Sequence, residues 1–349
     1  MSDIITGPKL ADVDTVTGAS NTAFLSGDNR IDSLLVGFDW TGTLHQAANI
    51  TYTISGPTEG NFVSDLNGAL AAWERVANIH FTYVPSSSSA AANANIVLYD
   101  YDNLPVGASG AVLGVTGQSS VPGNPTQMAQ APIEITTDPN VFENFLGISS
   151  SVVNNVITQA MVHELGHALG LKHPENYSGQ AGADSNSGDG LGPYLPVAEA
   201  TYDNTIMSYT PGAIATATNP PQTPMPFDIL AMQWLYGANM SSTGPTTYNI
   251  DGSLTTQTVW NPVGASTFDS THYTGAATFN LKQGMGSTVG QSNYFIAFGT
   301  HIGTLDTGPG NDSITANNLG DLIKTEPGND TIQGGAGNDT IIASTAIAA

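Results

Sequence analysis

The stretch that decides the fold runs from residue 163 to residue 173 and reads HELGHALGLKH. Residues four apart lie on one face of a helix, so His163 and His167 can present two imidazoles to a single metal ion. Glu164 follows the first histidine, where its carboxylate can reach a water molecule on that metal without binding the metal itself. The spacing therefore predicts a helix that carries two metal ligands and a potential general base.

The end of this stretch supplies a third candidate ligand. Gly170 can adopt the left-handed conformation that ends a helix, and Pro174 prevents the helix from resuming. The turn brings His173 towards the first two histidines, and three imidazoles with an open fourth position are typical of a catalytic zinc site. A histidine on an apolar helix is more often a core residue, but three of the 7 histidines in the chain fall within this one stretch.

The stretch resembles the H-E-x-x-H-x-x-G-x-x-H motif of the metzincin metallopeptidases. That clan also has a Met-turn beneath the metal, and the segment Thr205–Tyr209, which reads TIMSY around Met207, is similar to it. A tyrosine two positions after the methionine resembles the serralysin family and the astacins, where it is a further zinc ligand. The similarity to serralysins extends over residues 40–342.

This resemblance implies one catalytic zinc ion and a set of residue roles. The implied zinc ligands are His163, His167, His173 and Tyr209. Glu164 would act as the general base, and Tyr209 would leave the metal to help stabilise the tetrahedral oxyanion. The implied fold is an α+β metzincin-like catalytic domain, with a twisted mixed sheet, helices and an active-site helix, followed by an all-β parallel β-roll domain.

A second signal lies near the end of the chain, where aspartates and isoleucines recur every nine residues in step with each other. The aspartates are Asp312, Asp321, Asp330 and Asp339, and the isoleucines are Ile314, Ile323, Ile332 and Ile341. The pattern resembles the G-G-x-G-x-D-x-U-x repeat of calcium-binding β-rolls, in which glycine turns expose carbonyls and the aspartate adds a hard anionic oxygen. We predict several structural calcium ions, with ligands from Gly308, Gly310, Asp312, Asp321, Gly328, Asp330, Gly335, Gly337 and Asp339.

The repeat is imperfect. Residues 316–321 lack the leading glycines, and Thr325, Glu326 and Pro327 interrupt the next copy. We therefore expect fewer calcium ions than in a relative with complete repeats. The alternative is a flexible tail rich in Gly, Asn and Asp, but the register that two residue types keep over four copies argues against it.

The remaining pattern predicts three domains: an N-terminal leader or packing arm over 1–35, a catalytic domain over 36–240 and a calcium-binding β-roll over 241–349. Helical periodicity is present over residues 61–76, 152–171 and 227–235. Strand-like runs cover 49–54, 80–84, 96–99, 111–116 and 132–136.

Composition narrows the possible partners and the compartment. The chain has 6 Lys and Arg against 29 Asp and Glu, a net charge of −23, which argues against binding to nucleic acid or anionic membranes. It has no cysteine, so disulfides, thiolate zinc sites and a cysteine-based latency switch are excluded. Because the N-terminus lacks a basic and apolar signal pattern, we expect secretion without a cleavable N-terminal signal, by a type I-like route according to the resemblance.

These observations favour a secreted zinc endopeptidase that hydrolyses internal peptide bonds of proteins. The expected partners are protein or peptide substrates and a proteinaceous inhibitor, with no nucleic acid, no membrane insertion and a monomeric chain. An extended substrate would pair with the strand predicted over 111–116. One alternative is a calcium-dependent surface or adhesion protein with a non-catalytic zinc domain, and another is a zinc hydrolase acting on a non-peptide substrate.

Overall fold

The computed structural model describes residues 15–17, 24–58, 61–100, 106–107, 110–111, 114–136, 149–175, 192–242 and 244–344. The chain divides into two compact units. The first comprises Met1–Pro211 and Gln222–Asn239, and the second comprises Gly212–Pro221 and Met240–Ala349. Residues 112–113 of the predicted substrate-pairing strand and most of the predicted leader lie outside the described residues.

The first unit is built on a mixed sheet with the strand order β1-β7-β9-β4-β2-β3. Strands β2, β3, β4 and β9 run parallel, whereas β7 runs antiparallel to β9 and pairs with the short β1 on its other side. The strands are β1 Thr15–Thr17, β2 Ala48–Ile54, β3 Ile79–Tyr83, β4 Ile96–Asp100, β5 Val106–Gly107, β6 Gly110–Ala111, β7 Gly114–Val121, β8 Asn124–Met128 and β9 Ala131–Ile135. The helices are α1 Asn29–Asp32, α2 Phe62–Val76, α3 Ser150–Ala168 and α4 Pro226–Tyr236.

Helix α2 has the amphipathic pattern that its sequence predicts. Phe62, Leu66, Leu70 and Trp73 recur at spacings of three and four, and all four side chains are buried. The Trp73 indole Nε1–H donates to the carbonyl of Val162 on α3, at 3.1 Å. The apolar face of α2 therefore packs against the helix that carries the histidine pair.

Residues 24–36 are part of the first unit. Phe24 and Leu34 are buried, and the Trp234 indole donates to the Phe24 carbonyl at 2.7 Å. The segment also pairs with the chain that follows α3, because the Lys172 N–H donates to Leu34 O at 2.8 Å and the Val36 N–H donates to Gly170 O at 3.2 Å. The N-terminal segment thus supports the turn that leads to His173.

The second unit contains two sheets. One is all-parallel, in the order β10-β12-β16-β18-β20, and the other has the order β11-β15-β14-β13-β17-β19 with antiparallel pairs at β13–β14 and β14–β15. The strands are β10 Thr247–Asn249, β11 Thr255–Val259, β12 Ala265–Asp269, β13 Ala277–Asn280, β14 Gly286–Val289, β15 Ser292–Ile296, β16 His301–Asp306, β17 Ser313–Thr315, β18 Leu322–Thr325, β19 Thr331–Gln333 and β20 Thr340–Ala343.

The nine-residue repeat alternates between these sheets. Ile314 on β17 pairs with Ile332 on β19, whereas Ile323 on β18 pairs with Ile341 on β20. Ile314 and Ile323 are buried in the core between the sheets. Partners in one sheet are therefore two repeats apart, as expected for a parallel β-roll.

Sequence patterning did not indicate that Gly212–Pro221 joins the second unit. The amide of Asn219 donates to Gln291 O at 2.7 Å, and the amide of Asn293 donates to Ile214 O at 3.2 Å. Side-chain hydrogen bonds to backbone carbonyls hold this segment, and such bonds leave little periodic signal in a sequence. No helix within the described ranges has both the length and the apolar character needed to cross a bilayer.

Candidate metal sites

The three predicted histidine ligands meet at one point in the first unit. His163 and His167 lie one turn apart on α3, and His173 follows the turn after the helix. Their Nε2 atoms are 3.1 Å apart for His163 and His167, and 3.2 Å apart for each pair that includes His173. All three rings are buried. No other cluster of three potential metal-binding side chains is found among the described residues.

Backbone carbonyls fix the ring orientation of the helical pair. His163 Nδ1 lies 2.8 Å from Ile206 O, and His167 Nδ1 lies 3.0 Å from Leu171 O. A carbonyl can only accept, so each Nδ1 carries the proton in the neutral ring and each Nε2 presents a lone pair. Lone pairs that face one another in a buried site repel, and a cation between them removes the conflict.

The spacing of the nitrogen atoms fits zinc. A metal–nitrogen distance of about 2.0–2.1 Å with tetrahedral angles places the nitrogens about 3.3–3.4 Å apart. The observed separations of 3.1 and 3.2 Å are close to this value. His163, His167 and His173 can therefore hold a zinc ion with a fourth position left for another ligand.

The turn that delivers His173 depends on Gly170. Helix α3 ends at Ala168, three residues before the end that periodicity predicts, because Gly170 has a φ of 104° and cannot continue the helix. A Cβ atom at this position would also approach Phe38 O to 2.7 Å. The Gln118 amide braces the same turn by donating to His167 O at 2.6 Å and to Leu171 O at 2.8 Å.

Glu164 is buried beside β7, and Thr116 holds its carboxylate. The Thr116 hydroxyl donates to Glu164 Oε2 at 2.6 Å. At Gly114 an added Cβ would lie 2.5 Å from Glu164 Oε1, so this glycine leaves room for the carboxylate. Sequence reasoning missed Thr116, because a strand residue has no fixed spacing from a helical residue that follows 48 positions later.

Met207 lies under the helix as a Met-turn residue would. It is fully buried, and its Sδ lies 2.6 Å from the position that a Cβ on Gly166 would take. Gly166 therefore allows the thioether to approach α3 between the two helical histidines. The methionine contacts the helix that carries the ligands and supports it from below.

A buried carboxylate on α4 organises the same turn. Asp228 accepts from the Thr205 hydroxyl at 2.5 Å, and from the N–H groups of Ile206 and Met225 at 2.7 Å each. Burial raises the pKa of Asp228 to about 7, although these three hydrogen bonds act in the opposite direction. The carbonyl of Ile206, whose N–H donates to Asp228, also lies against His163 Nδ1. Asp228 therefore helps to position His163 through the backbone of this one residue.

Tyr209 lies against the histidine rings. Its ring centroid is 4.6 Å from that of His173, and it stacks on His163 with an interplanar angle of 21° at 5.7 Å. The hydroxyl of the preceding Ser208 lies within hydrogen-bond distance of two acceptors, the Glu175 carboxylate and Ala200 O. The structure thus places the Tyr209 ring against His163 and His173, two of the three predicted histidine ligands.

The candidate calcium ligands lie at two edges of the second unit. Asp312 and Asp330 come from stacked turns, since the Asp312 N–H donates to Asp330 Oδ1 at 3.0 Å. Asp321 and Asp339 are joined in the same way at 3.0 Å. The candidate glycines belong to the same turns: Gly308, Gly310 and Gly328 to the first pair, and Gly335 and Gly337 to the second.

Comparison with known proteins agrees with this arrangement. The matrixin peptidase family matches residues 40–179, and the RTX calcium-binding nonapeptide repeat matches residues 315–345. Metallopeptidase AprA of Pseudomonas marginalis is 30% identical over 78% of this chain and 57% of its own length. Serralysin A of Dickeya chrysanthemi is 29% identical over 85% of this chain and 65% of its own length, and a serralysin C of the same organism is 38% identical over 44% of this chain and 35% of its own. The chain thus spans less than two thirds of the length of these relatives.

The chain therefore carries a matrixin-type α+β peptidase domain followed by RTX calcium-binding repeats. Its similarity to proteins named serralysin and AprA is consistent with a serralysin-like metzincin. The resemblance read from the zinc motif, the Met-turn and the nine-residue repeat is confirmed, as are the fold class and the expectation of zinc and calcium.

Proposed function

We propose that the protein is a secreted zinc endopeptidase that cleaves internal peptide bonds of proteins. The observation that carries this proposal is the convergence of three imidazole Nε2 atoms beside a buried carboxylate, Glu164, on the same helix. The named peptidase relatives and the matched peptidase family support it. Secretion is supported by the match of residues 315–345 to RTX repeats and by the named serralysin relatives. The monomeric state and a proteinaceous inhibitor remain predictions.

The residues divide the chemistry among them. A zinc ion held by His163, His167 and His173 would lower the pKa of a water molecule at its open position and polarise the substrate carbonyl. Glu164 takes a proton from the attacking water and passes it to the leaving amine. Its hydrogen bond to Thr116 keeps the carboxylate oriented for both transfers. Tyr209, beside His173, donates from its hydroxyl to the oxyanion that forms on the substrate.

The alternative function is a calcium-dependent surface or adhesion protein with a non-catalytic zinc domain. Structural zinc sites are typically closed by four protein ligands, commonly cysteine. This chain has no cysteine, and its three histidines are accompanied by a carboxylate that a structural site does not require. The endopeptidase is therefore favoured.

The deciding experiment replaces Glu164 with Gln and measures zinc content together with casein hydrolysis. We expect Glu164→Gln to keep one zinc per chain and to lose hydrolysis, because the proton acceptor is gone while the metal ligands remain. Glu199→Gln, an exposed carboxylate of the same unit, serves as the matched control and should retain both. Full hydrolysis by Glu164→Gln would overturn the mechanism, and a zinc-loaded native protein that cleaves no protein substrate would overturn the function.

A further inference from the structure

The two edges of the repeat stack share one backbone-to-carboxylate hydrogen bond between stacked turns. At one edge the turn that ends at Asp312 lies on the turn that ends at Asp330, and at the other the Asp321 turn lies on the Asp339 turn. In both, the N–H of the earlier aspartate donates to Oδ1 of the later one at 3.0 Å. The edges differ at Gly320, which has a φ of 96° before Asp321, and in the side chains that face each carboxylate.

At the first edge, Asp312 has an oxygen that needs a partner. The residue is only 3% exposed, and its Oδ1 accepts from the Ala277 N–H at 2.9 Å. Its buried Oδ2 has no partner of good hydrogen-bond geometry among the described residues, although the Thr307 hydroxyl lies close enough to lower the pKa of this carboxyl. A buried carboxylate oxygen without a partner is costly, and a cation supplies what is missing.

The same edge is rich in hard oxygen donors. The stacked turns approach so closely that a Cβ on Gly328 would overlap the carbonyl oxygen of Gly310. Only glycine fits there, and the close approach brings a backbone carbonyl to the edge beside Asp312 and Asp330. Carboxylate and carbonyl oxygens are the ligands that calcium prefers.

At the second edge, an amide of the chain itself lies against the carboxylate. Asn317 Nδ2 donates to Asp321 Oδ1 at 2.5 Å and to Ile302 O at 2.8 Å, while its Oδ1 accepts from the Leu319 N–H at 2.7 Å. Both donors and the acceptor of the amide are thus used, which fixes which side of the amide faces Asp321.

Asn317 also satisfies the other oxygen of this carboxylate. Its backbone N–H donates to Asp321 Oδ2 at 2.7 Å. The amide nitrogen therefore bridges a carboxylate and a backbone carbonyl, the two kinds of oxygen that a calcium ion would bridge. In the repeat pattern this position is normally a glycine, which has no side chain to place there.

We propose that the repeat stack binds calcium at the edge of Asp312 and Asp330, and that the amide of Asn317 takes the place of the cation at the edge of Asp321 and Asp339. The second edge then binds no ion between its two turns. The proposal reduces the set of calcium ligands predicted from the sequence, which included residues at both edges. The ligands removed are those of the second edge: Asp321, Gly335, Gly337 and Asp339. It does not depend on the peptidase activity.

The test counts calcium ions on the whole chain by equilibrium dialysis after exhaustive chelation. We expect Asp312→Asn to lose one ion relative to the native protein and Asp321→Asn to lose none. Asn317→Gly should gain one ion because it vacates the space beside Asp321. The matched control is Asn338→Gly, which changes an exposed residue in the paired turn and should leave the count unchanged.

Each substitution has an outcome that opposes the proposal. An ion lost in Asp321→Asn, or none lost in Asp312→Asn, would overturn it. An unchanged count in Asn317→Gly would refute the role of the amide, provided that circular dichroism shows the repeat domain folded. If that variant does not fold, the comparison of Asp312→Asn with Asp321→Asn still decides the question.

Discussion

Replacing Thr116 with Val should slow peptide hydrolysis while leaving substrate binding and zinc content intact. Valine has nearly the same shape, so the substitution removes the hydroxyl that donates to Glu164 at 2.6 Å without opening a cavity. A hydrogen bond to a charged group contributes about 1.5–3 kcal/mol. If that energy holds the carboxylate in position for proton transfer, its loss lowers kcat roughly 10- to 100-fold.

The measurement is steady-state hydrolysis of a fluorogenic peptide, with zinc determined by mass spectrometry on the same samples. Because the Thr116 side chain is buried and its hydroxyl is bonded to Glu164, we expect KM to change little. Thr116→Ser restores the hydroxyl and should recover most of kcat. A native kcat in Thr116→Val would refute the positioning role, and a loss of zinc in that variant would show that the effect acts on the metal site instead.

Two further predictions concern the support of the metal site. Gly166→Ala should lower the free energy of unfolding, measured by urea denaturation, by about 1 kcal/mol. Overpacking against Met207 costs about 1–3 kcal/mol, whereas the gain in helix propensity is about 1 kcal/mol. An increase in stability would contradict the close contact between Gly166 and Met207. Asp228 should make the free energy of unfolding depend on pH. Its pKa is about 7 in the folded state and about 3.9 in the unfolded state. Its contribution to stability is therefore complete below pH 4 and is lost as the pH rises through 7. The difference in unfolding free energy between the native protein and Asp228→Asn should then change by roughly 4 kcal/mol between these limits, and a difference independent of pH would show that Asp228 does not titrate there.

The sequence was most informative where function imposes a fixed local spacing. The two histidines of α3 had to be four apart to share a face, and the position of Gly170 predicted the turn to His173. The buried face of α2 followed from the same helical period. Each of these features follows from local backbone geometry, so it can be predicted from the sequence without knowing the rest of the fold.

Contacts between distant segments could not be predicted in this way. Thr116 reaches Glu164 only because β7 lies beside α3, and Asp228 reaches the Met-turn only because α4 begins next to it. Residues 316–321 resemble a weak copy of the repeat, because sequence spacing does not show that the Asn317 amide donates to Ile302 O on strand β16. In all three cases the role of a polar side chain depends on which strand or turn the fold places opposite to it.

The alternation of repeats between two sheets has a consequence for how such a domain can change in length. One copy of nine residues adds a strand to only one sheet and a turn to only one edge. A complete layer therefore needs two copies, so that Ile332 stacks on Ile314 and Ile341 stacks on Ile323. Insertion or deletion of a single copy would exchange the faces of every later repeat, whereas a change by eighteen residues would preserve them. The domain therefore gains or loses complete layers in pairs of copies, and a substitution in one copy, such as Asn317, affects only one edge.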